Sequence, residues 1–204
     1  MSGGDRPDRL NAEALRSACA GQCFGHRLEV LEEVTSTNDI LLQLASKNHE
    51  GLVIFAERQT AGRGQRSNRW ESAEGKGLWF SILLRPSIAL AEAPRLTAWA
   101  ARTVAATINE MLSLGATVKP PNDVYLVGRK VAGVLLEMRA VAHAQHLGIL
   151  GIGLNVNQTL TDFPEELRER AGSLALANGG AIKREELAIA LLRKLDRSYR
   201  ELAL

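Results

Sequence analysis

The residues best suited to chemistry lie in one polar segment, QTAGRGQRSNRWESAEGKG, at residues 59–77. Arg63, Arg66 and Arg69 lie there among several glycines. Guanidinium groups donate charge-assisted hydrogen bonds to carboxylates and phosphates, and glycine lets the backbone approach a ligand closely. Such a segment is a poor stabiliser of a fold, because ordering glycine and long cationic side chains costs entropy. The segment therefore predicts an anion-binding site, and we expect the ligand to order it.

Three further polar clusters carry groups of the same kind. Ser36-Thr37-Asn38 begins a helical pattern, KPPNDVYLVGRKVAG occupies residues 119–133, and Asn155 and Asn157 end an apolar run. Each cluster has a plain explanation, as a helix N-cap, as a turn with solvated lysines, or as the end of a strand. These explanations stay open for each cluster taken alone.

The cluster at 119–133 supplies charges that suit phosphate chemistry. Lys119 and Lys130 add two cations to the arginines, and the carboxylate of Asp123 is a ligand type that Mg²⁺ prefers. Together with the glycine-rich loop, these residues favour nucleotide phosphate chemistry. The loop is not a Walker A motif, because Gly and Leu follow the lysine of AEGKGLW where that motif needs Ser or Thr. A dinucleotide fold is disfavoured because no GxGxxG follows a strand.

The elements that must position these residues alternate between strands and helices. Apolar runs predict strands at residues 26–34, 51–58, 77–85 and 146–157, and VYLVGRKVAGVLLEMRAV predicts a hairpin with its turn at Gly128-Arg129. Helical spacing predicts helices at residues 11–20, 35–48, 96–112 and 183–204. We predict an α+β fold in one domain over residues 1–204. It has a mixed, largely antiparallel sheet flanked by helices, which we expect on one side.

The composition excludes several classes of protein. Hydrophobic residues make up 46% and charged residues 24%, with a formal net charge of +2, which indicates neither disorder nor a strongly basic nucleic-acid binder. Cys19 and Cys23 lack the further ligands of a zinc site, so we interpret them as structural. The N-terminal segment lacks a signal-peptide core, and no apolar run approaches the roughly 18–20 residues of a membrane span. We expect a cytoplasmic protein that binds neither DNA nor membrane.

Four of these motifs, in this order, resemble the catalytic domain of biotin protein ligases, which attach biotin to acetyl-CoA carboxylase and related carriers. The motifs are STN at 36–38, QTAGRGQRSNRW at 59–70, KPPNDVYLVGRKVAGVLLE at 119–137 and GIGLNVN at 151–157. No single motif is specific, but their combined order and spacing are. The resemblance implies a biotin/lipoate-ligase-like fold, with biotin and ATP as substrates, Mg²⁺ as cofactor, and a biotin carrier protein or a carboxylase domain as partner.

The resemblance also implies roles for individual residues. Residues matching the biotin contacts are Ser36, Thr37, Asn38, Gln59, Arg63, Gly64, Gln65 and Lys130. Residues matching the nucleotide side are Trp70, which would cover the adenine, Asn122 and Asn155. Residues matching the catalytic set are Lys130, Arg63, Lys119 and Asp123, with Asp123 as the metal ligand.

The implied chemistry proceeds in two steps. The carboxylate of biotin attacks the α-phosphate of ATP, pyrophosphate leaves, and a lysine amine of the carrier then attacks the resulting biotinoyl-5′-AMP and releases AMP. Both steps need charge neutralised at phosphate oxygens rather than a covalent enzyme nucleophile. We expect the 59–77 loop to be open when empty and to close over the adenylate, which protects it from water.

The sequence departs from the family pattern at several places. Gln65 stands where a second loop arginine is usual, and Pro120 replaces the Trp of KWPND. The small C-terminal domain common in the family is not expected, nor is an N-terminal DNA-binding extension. Two alternatives therefore remain, a lipoate-protein ligase and a non-catalytic biotin- or adenylate-binding module. The chain is expected to be a monomer or a homodimer.

Overall fold

The computed structural model describes residues 8–141 and 145–202, and these form one seven-stranded sheet with helices against it. The spatial order is β1-β2-β3-β7-β6-β5-β4, with β1 and β2 parallel and every other neighbouring pair antiparallel. The strands are β1 (Leu28–Val34), β2 (Val53–Gln59), β3 (Gly77–Leu84), β4 (Thr117–Lys119), β5 (Asp123–Leu126), β6 (Arg129–Arg139) and β7 (Leu147–Asn155). The helices are α1 (Ala12–Ala18), α2 (Thr37–Leu44), α3 (Ala93–Leu112), α4 (Leu174–Asn178) and α5 (Arg184–Glu201). The predicted α+β class is confirmed.

Helices cover both faces of the sheet. Successive residues of a strand point to opposite faces, so Phe80 and Ile82 of β3 face a large core shared with α1, α3 and α5, whereas Leu83 faces a smaller core shared with Leu41 of α2. The expectation that the helices lie on one side is therefore wrong, because α2 packs on the opposite face of β2, β3 and β7. Hydrophobic periodicity identifies the buried side of a helix but not the side of the sheet that receives it.

The hairpin between β5 and β6 turns one residue earlier than predicted. Leu126 pairs with Arg129, so the turn residues are Val127 and Gly128 rather than Gly128 and Arg129. Both have positive φ, 48° and 74°, which is the pattern of a type I′ turn. The sequence did not predict β4 and α4, which are only three and five residues long.

A buried ion pair fixes both ends of the 59–77 segment. Arg184, at the start of α5, places Nη1 2.8 Å from Glu57 Oε2 near the end of β2 and donates a 3.0 Å hydrogen bond to the carbonyl of Gly77, where β3 begins. The two charged side chains are 0% and 2% exposed. Arg184 also lies 3.3 Å from Asp8 Oδ2, but Glu57 is its buried partner, so this contact holds the two strands firmly at the base of the segment.

Two expectations from composition bear on the fold. Cys19 is buried and Cys23 partly buried, and burial raises the pKa of both thiols, to about 11 for Cys23. Thiolate is the reactive form, so this agrees with a structural interpretation of the cysteines. Within the described part of the chain, no helix is both long enough and apolar enough to cross a membrane.

Candidate active site

Glycines of β6 and β7 form the floor of the candidate site, on the same sheet face as α2. Gly133 pairs with Gly153 across the two strands. A Cβ on Gly153 would lie 2.5 Å from Trp70 Cε2, one on Gly133 would lie 2.8 Å from Trp70 Cζ3, and one on Gly151 would overlap Asn38 Oδ1. Trp70 and Asn38 therefore rest directly on strand backbone. Glycine within a strand commonly marks such a close approach.

An irregularity in β6 turns Lys130 toward the site. Tyr125 pairs with Lys130, but the preceding residue Val124 pairs with Ala132, which leaves Val131 as an extra residue on β6. Such a bulge re-aims the side chains beside it. Val131 consequently enters the core, 1% exposed, while Lys130 points to the face that carries the glycines.

Lys130 stands at the junction of two cavities. Its Nζ lies 2.6 Å from Asp123 Oδ1 and 5.4 Å from the centre of the Trp70 ring, within cation–π range. Its backbone is fixed as well, since its N–H donates to the carbonyl of Arg170 and its carbonyl accepts from the N–H of Gly172. The ammonium is thus held between an aromatic face and a carboxylate.

The first cavity brings together every residue that the resemblance assigns to biotin. Its lining includes Ser36, Thr37, Asn38, Gln59, Arg63, Gly64, Gln65 and Lys130. Trp70 and Asn122 line it too. The free volume is about 40 Å³, far below the roughly 300–1,000 Å³ of typical small-molecule sites. The walls of this cavity must move before a ligand can enter.

Hydrogen bonds fix the polar wall of the first cavity. The N–H of Thr37 donates to Gln59 Oε1 at 2.8 Å, and Ser81 Oγ donates to Asn38 Oδ1 at 2.5 Å while lying 2.7 Å from Thr37 Oγ1. Ser36 holds the N-cap position of α2, yet its side chain makes no capping hydrogen bond within the described residues. The plain explanation as a cap therefore does not account for its hydroxyl. Sequence reasoning missed Ser81 because it lies within an apolar strand.

The second cavity joins the first at Trp70 and Lys130, and has a free volume of about 380 Å³. Of the predicted residues, Asp123 and Asn155 also line it. Residues that the sequence analysis did not identify complete the lining: Asn68, Arg69, Glu71, Tyr125, Phe163, Leu167, Arg170 and Ala171. The side-chain amide of Asn155 donates to the carbonyl of Gly172 at 2.9 Å and accepts from Gln158 at 3.1 Å. Both ends of this amide therefore have hydrogen-bond partners within the protein.

Two residues lie elsewhere than the resemblance implies. Asn122, expected on the nucleotide side, lines the first cavity and donates a 3.0 Å hydrogen bond to the carbonyl of Val134. Lys119, expected beside the phosphates, is outside the described lining of both cavities; its Nζ lies 5.3 Å from the ring centre of Tyr125. Lys119 therefore lies beside Tyr125, a residue of the second cavity, but outside the lining that holds Lys130.

The loop cations have carboxylate partners within the protein. Arg63 Nη2 lies 2.8 Å from both Asp39 Oδ1 and Glu137 Oε2, and Arg69 Nε lies 3.1 Å from Glu71 Oε1. With Lys130 on Asp123, three of the five predicted cations are paired with carboxylates of the protein itself. Sequence reasoning missed Asp39, Glu71 and Glu137 because nothing local marks a carboxylate as the partner of a distant cation.

The loop itself is folded. The N–H of Trp70 donates to the carbonyl of Gly62 at 2.9 Å, and the N–H of Gly64 donates to the carbonyl of Asn68 at 2.7 Å. These bonds form a narrow hairpin, at whose tip Arg66 has a φ of 55°. The loop backbone therefore has hydrogen bonds of its own, and the ordering of this segment by a ligand stays a prediction. Opening and closing of the loop remain a prediction.

The donor set fits a metal ion only in part. In residues 8–141 and 145–202, no group of three or more His, Cys, Asp or Glu side chains could hold a metal. Mg²⁺ commonly uses one or two protein carboxylates and completes its shell with substrate phosphates and water. Asp123 satisfies that requirement as a single ligand, provided that Lys130 exchanges its carboxylate partner for a phosphate.

Comparisons with known proteins agree with this arrangement. The profile of the Biotin/lipoate A/B protein ligase family matches residues 30–155. The chain is 38% identical to the bifunctional ligase/repressor BirA of Bacillus subtilis, covering 96% of this chain and 61% of that protein. It is 34% identical to the biotin–[acetyl-CoA-carboxylase] ligase of Mycobacterium tuberculosis, covering 92% and 70%. The solved structure of biotin protein ligase from Aquifex aeolicus in complex with biotin and ATP superimposes with a TM-score of 0.72 at 34% identity, covering 86% of this chain and 71% of that one. The chain spans about three fifths of the length of the BirA proteins that it matches.

Proposed function

This chain belongs to the biotin/lipoate A/B protein ligase family, and we propose that it acts as an ATP-dependent biotin protein ligase. In this proposal it forms biotinoyl-5′-AMP and passes biotin to a lysine of a carrier protein or of a carboxylase domain. The observation that carries the proposal is the pair of cavities that meet at Lys130 and Trp70. One cavity suits the acid, the other suits the nucleotide, and a cation stands where the two would react.

The first cavity suits biotin in both polarity and charge. Thr37, Asn38 and Gln59 give it an amide and hydroxyl wall. Around Arg63 the carboxylates of Asp39 and Glu137 face one guanidinium, so these three groups together carry a formal charge of −1 on that side of the cavity. A carboxylate tail would avoid that side and point toward Lys130, because like charges repel.

The second cavity suits a nucleoside triphosphate. Trp70, Tyr125 and Phe163 supply aromatic surface for a base, and Arg170 adds a cation. The solved structure of the similar protein from Aquifex aeolicus, which contains biotin and ATP together, supports this assignment. In this proposal Lys119 does not contact the phosphates and contributes only a more distant positive charge.

The chain's residues then act by neutralising charge. As the carboxylate of biotin attacks the α-phosphate, Lys130 leaves Asp123 and donates to a phosphate oxygen, which stabilises the charge developing there as pyrophosphate departs. Asp123 is the residue that would hold Mg²⁺ together with the ATP phosphates, and the ion would supply further neutralisation. The loop shields the adenylate from water until a carrier lysine attacks and AMP leaves.

Pyrophosphate exchange into ATP tests the proposal, with biotin, lipoate or no acid added to the purified chain. We expect exchange that depends on biotin, and we expect Lys130→Met to abolish it. Lys47→Met is the matched control, because Lys47 is an exposed lysine that follows α2. Exchange supported equally by lipoate would favour the lipoate-ligase alternative. Biotin binding without exchange would favour the non-catalytic module.

A further inference from the structure

Glu137 lies on β6, two residues after Leu135 of the first cavity's lining, and no step of the proposed chemistry uses it. One of its carboxylate oxygens, Oε2, accepts from Asn38 Nδ2 at 2.7 Å and from Arg63 Nη2 at 2.8 Å. Asn38 belongs to α2 and Arg63 to the loop. A single oxygen atom therefore joins the helix in the cavity wall to the loop across the cavity mouth.

Asn38 is a rigid anchor for this contact. It is 4% exposed and rests on the backbone of Gly151, where any Cβ would overlap its side chain. Its Oδ1 accepts from the fully buried Ser81, and its Nδ2 donates to Glu137. With both ends of the amide engaged, Asn38 presents a fixed donor to Glu137 and thereby fixes the orientation of the carboxylate.

Arg63 receives a second carboxylate from the same side. Asp39 Oδ1 lies 2.8 Å from Arg63 Nη2, so the guanidinium is shared between Asp39 and Glu137. Arg63 and the two residues after it line the first cavity. With about 40 Å³ of free volume, that cavity admits no ligand of biotin's size while the loop stays in place.

We propose that Glu137 is a positioning residue which, together with Asp39, holds Arg63 and so keeps the loop across the first cavity. Entry and departure of the ligand then require the Arg63 contacts to break. The inference rests on the proposed function only for the identity of the ligand, because the contacts of Arg63 with Asp39 and Glu137 lie within the protein itself. Glu137 and Asp39 set how fast the cavity exchanges its occupant.

Trypsin cleavage after Arg63, without ligand, tests the contact directly, because trypsin must take the guanidinium out of its ion pairs. Glu137→Gln and Asp39→Asn should each speed this cleavage by about two- to fivefold, the range for a partly exposed pair. The double variant should exceed the product of the two, since each single variant leaves Arg63 one partner. Glu71→Gln is the matched control: it removes the partner of Arg69 and should leave cleavage after Arg63 unchanged. Equal rates in the double variant and the wild type would overturn the inference, as would equal acceleration by Glu71→Gln.

Stopped-flow binding of biotin provides the second readout. In Glu137→Gln the association and dissociation rates should rise together by about two- to fivefold, with an unchanged urea unfolding midpoint, because a gate slows both directions. A rise in dissociation alone would mean that Glu137 supports a ligand contact and would overturn the gating role. A lowered unfolding midpoint with faster cleavage at every site would also overturn it. If the wild type binds no biotin, the proposed function fails, while the trypsin measurement still decides the inference.

Discussion

Gly153→Ala is expected to weaken ATP use while leaving the fold intact. Gly153 lies in the middle of the sheet, paired with Trp79 of β3 and Gly133 of β6. Its missing Cβ leaves room for Trp70, which lines both cavities and lies under the ammonium of Lys130. A methyl group at this position would push against the residue that joins the two halves of the site.

The geometry sets the size of the effect. An alanine Cβ would lie 2.5 Å from Trp70 Cε2, whereas ordinary contacts begin at 3.4 Å, so the ring must move by about 0.9 Å. β7 is bonded to a strand on each side and cannot move away, so the displacement falls on Trp70. Overpacking of this kind costs about 1–3 kcal/mol. If that cost appears in nucleotide binding, the KM for ATP rises about five- to 150-fold.

The assay is pyrophosphate exchange with ATP and biotin varied separately, alongside a matched variant on the same strand. Gly148→Ala places a Cβ 3.3 Å from Leu84 and otherwise no closer than 3.7 Å to its neighbours. This milder contact lies on the opposite face, in the large core. We expect Gly148→Ala to keep the wild-type KM for ATP. If Gly153→Ala kept it too, Trp70 would not be part of the nucleotide site, and the reasoning from the glycine floor would fail.

Four further predictions follow from single contacts. Gln65→Arg adds a guanidinium to the lining of the first cavity and should slow release of the adenylate in a chase experiment; an unchanged rate would count against it. Arg170→Ala should raise the KM for ATP about tenfold, because this cation lines the second cavity and makes no ion pair within the described residues. Glu57→Gln removes the buried carboxylate partner of Arg184 and leaves only the half-exposed Asp8, so it should lower the free energy of unfolding in urea by about 1–3 kcal/mol. Val127→Asn relieves a β-branched residue at φ 48° and should raise the free energy of unfolding by about 1 kcal/mol, whereas a loss would contradict the turn assignment.

The sequence predicted those strands and helices whose hydrophobic pattern is visible within a single stretch of residues. β2, β3 and β7 are recognisable because strands in the middle of a sheet are buried on both faces and appear as continuous apolar runs. The residues assigned to the first cavity were predicted because they belong to contiguous motifs that resemble those of the family. The bulge at Val131 was not, since its pairing with β5 has no local signature.

The second cavity shows where such reasoning stops. Phe163, Leu167 and Arg170 come from a stretch of short 3₁₀ turns between β7 and α4, which has neither helical nor strand periodicity. The backbone hydrogen bonds between Lys130 and residues 170 and 172 bring that stretch to the site. Contacts of this kind join residues about forty positions apart and depend on the folded sheet.

The ion pairs explain how the protein tolerates several cations close together. The pairs are Arg63 with Asp39 and Glu137, Arg69 with Glu71, and Lys130 with Asp123. Their side chains are 23–66% exposed, so each pair contributes below about 1 kcal/mol. That is enough to offset part of the entropy of holding the loop, yet too little to compete with phosphate oxygens in a closed site, where charge-assisted hydrogen bonds are stronger. The carboxylates therefore offset part of the charge of Arg63, Arg69 and Lys130 while holding each cation only weakly.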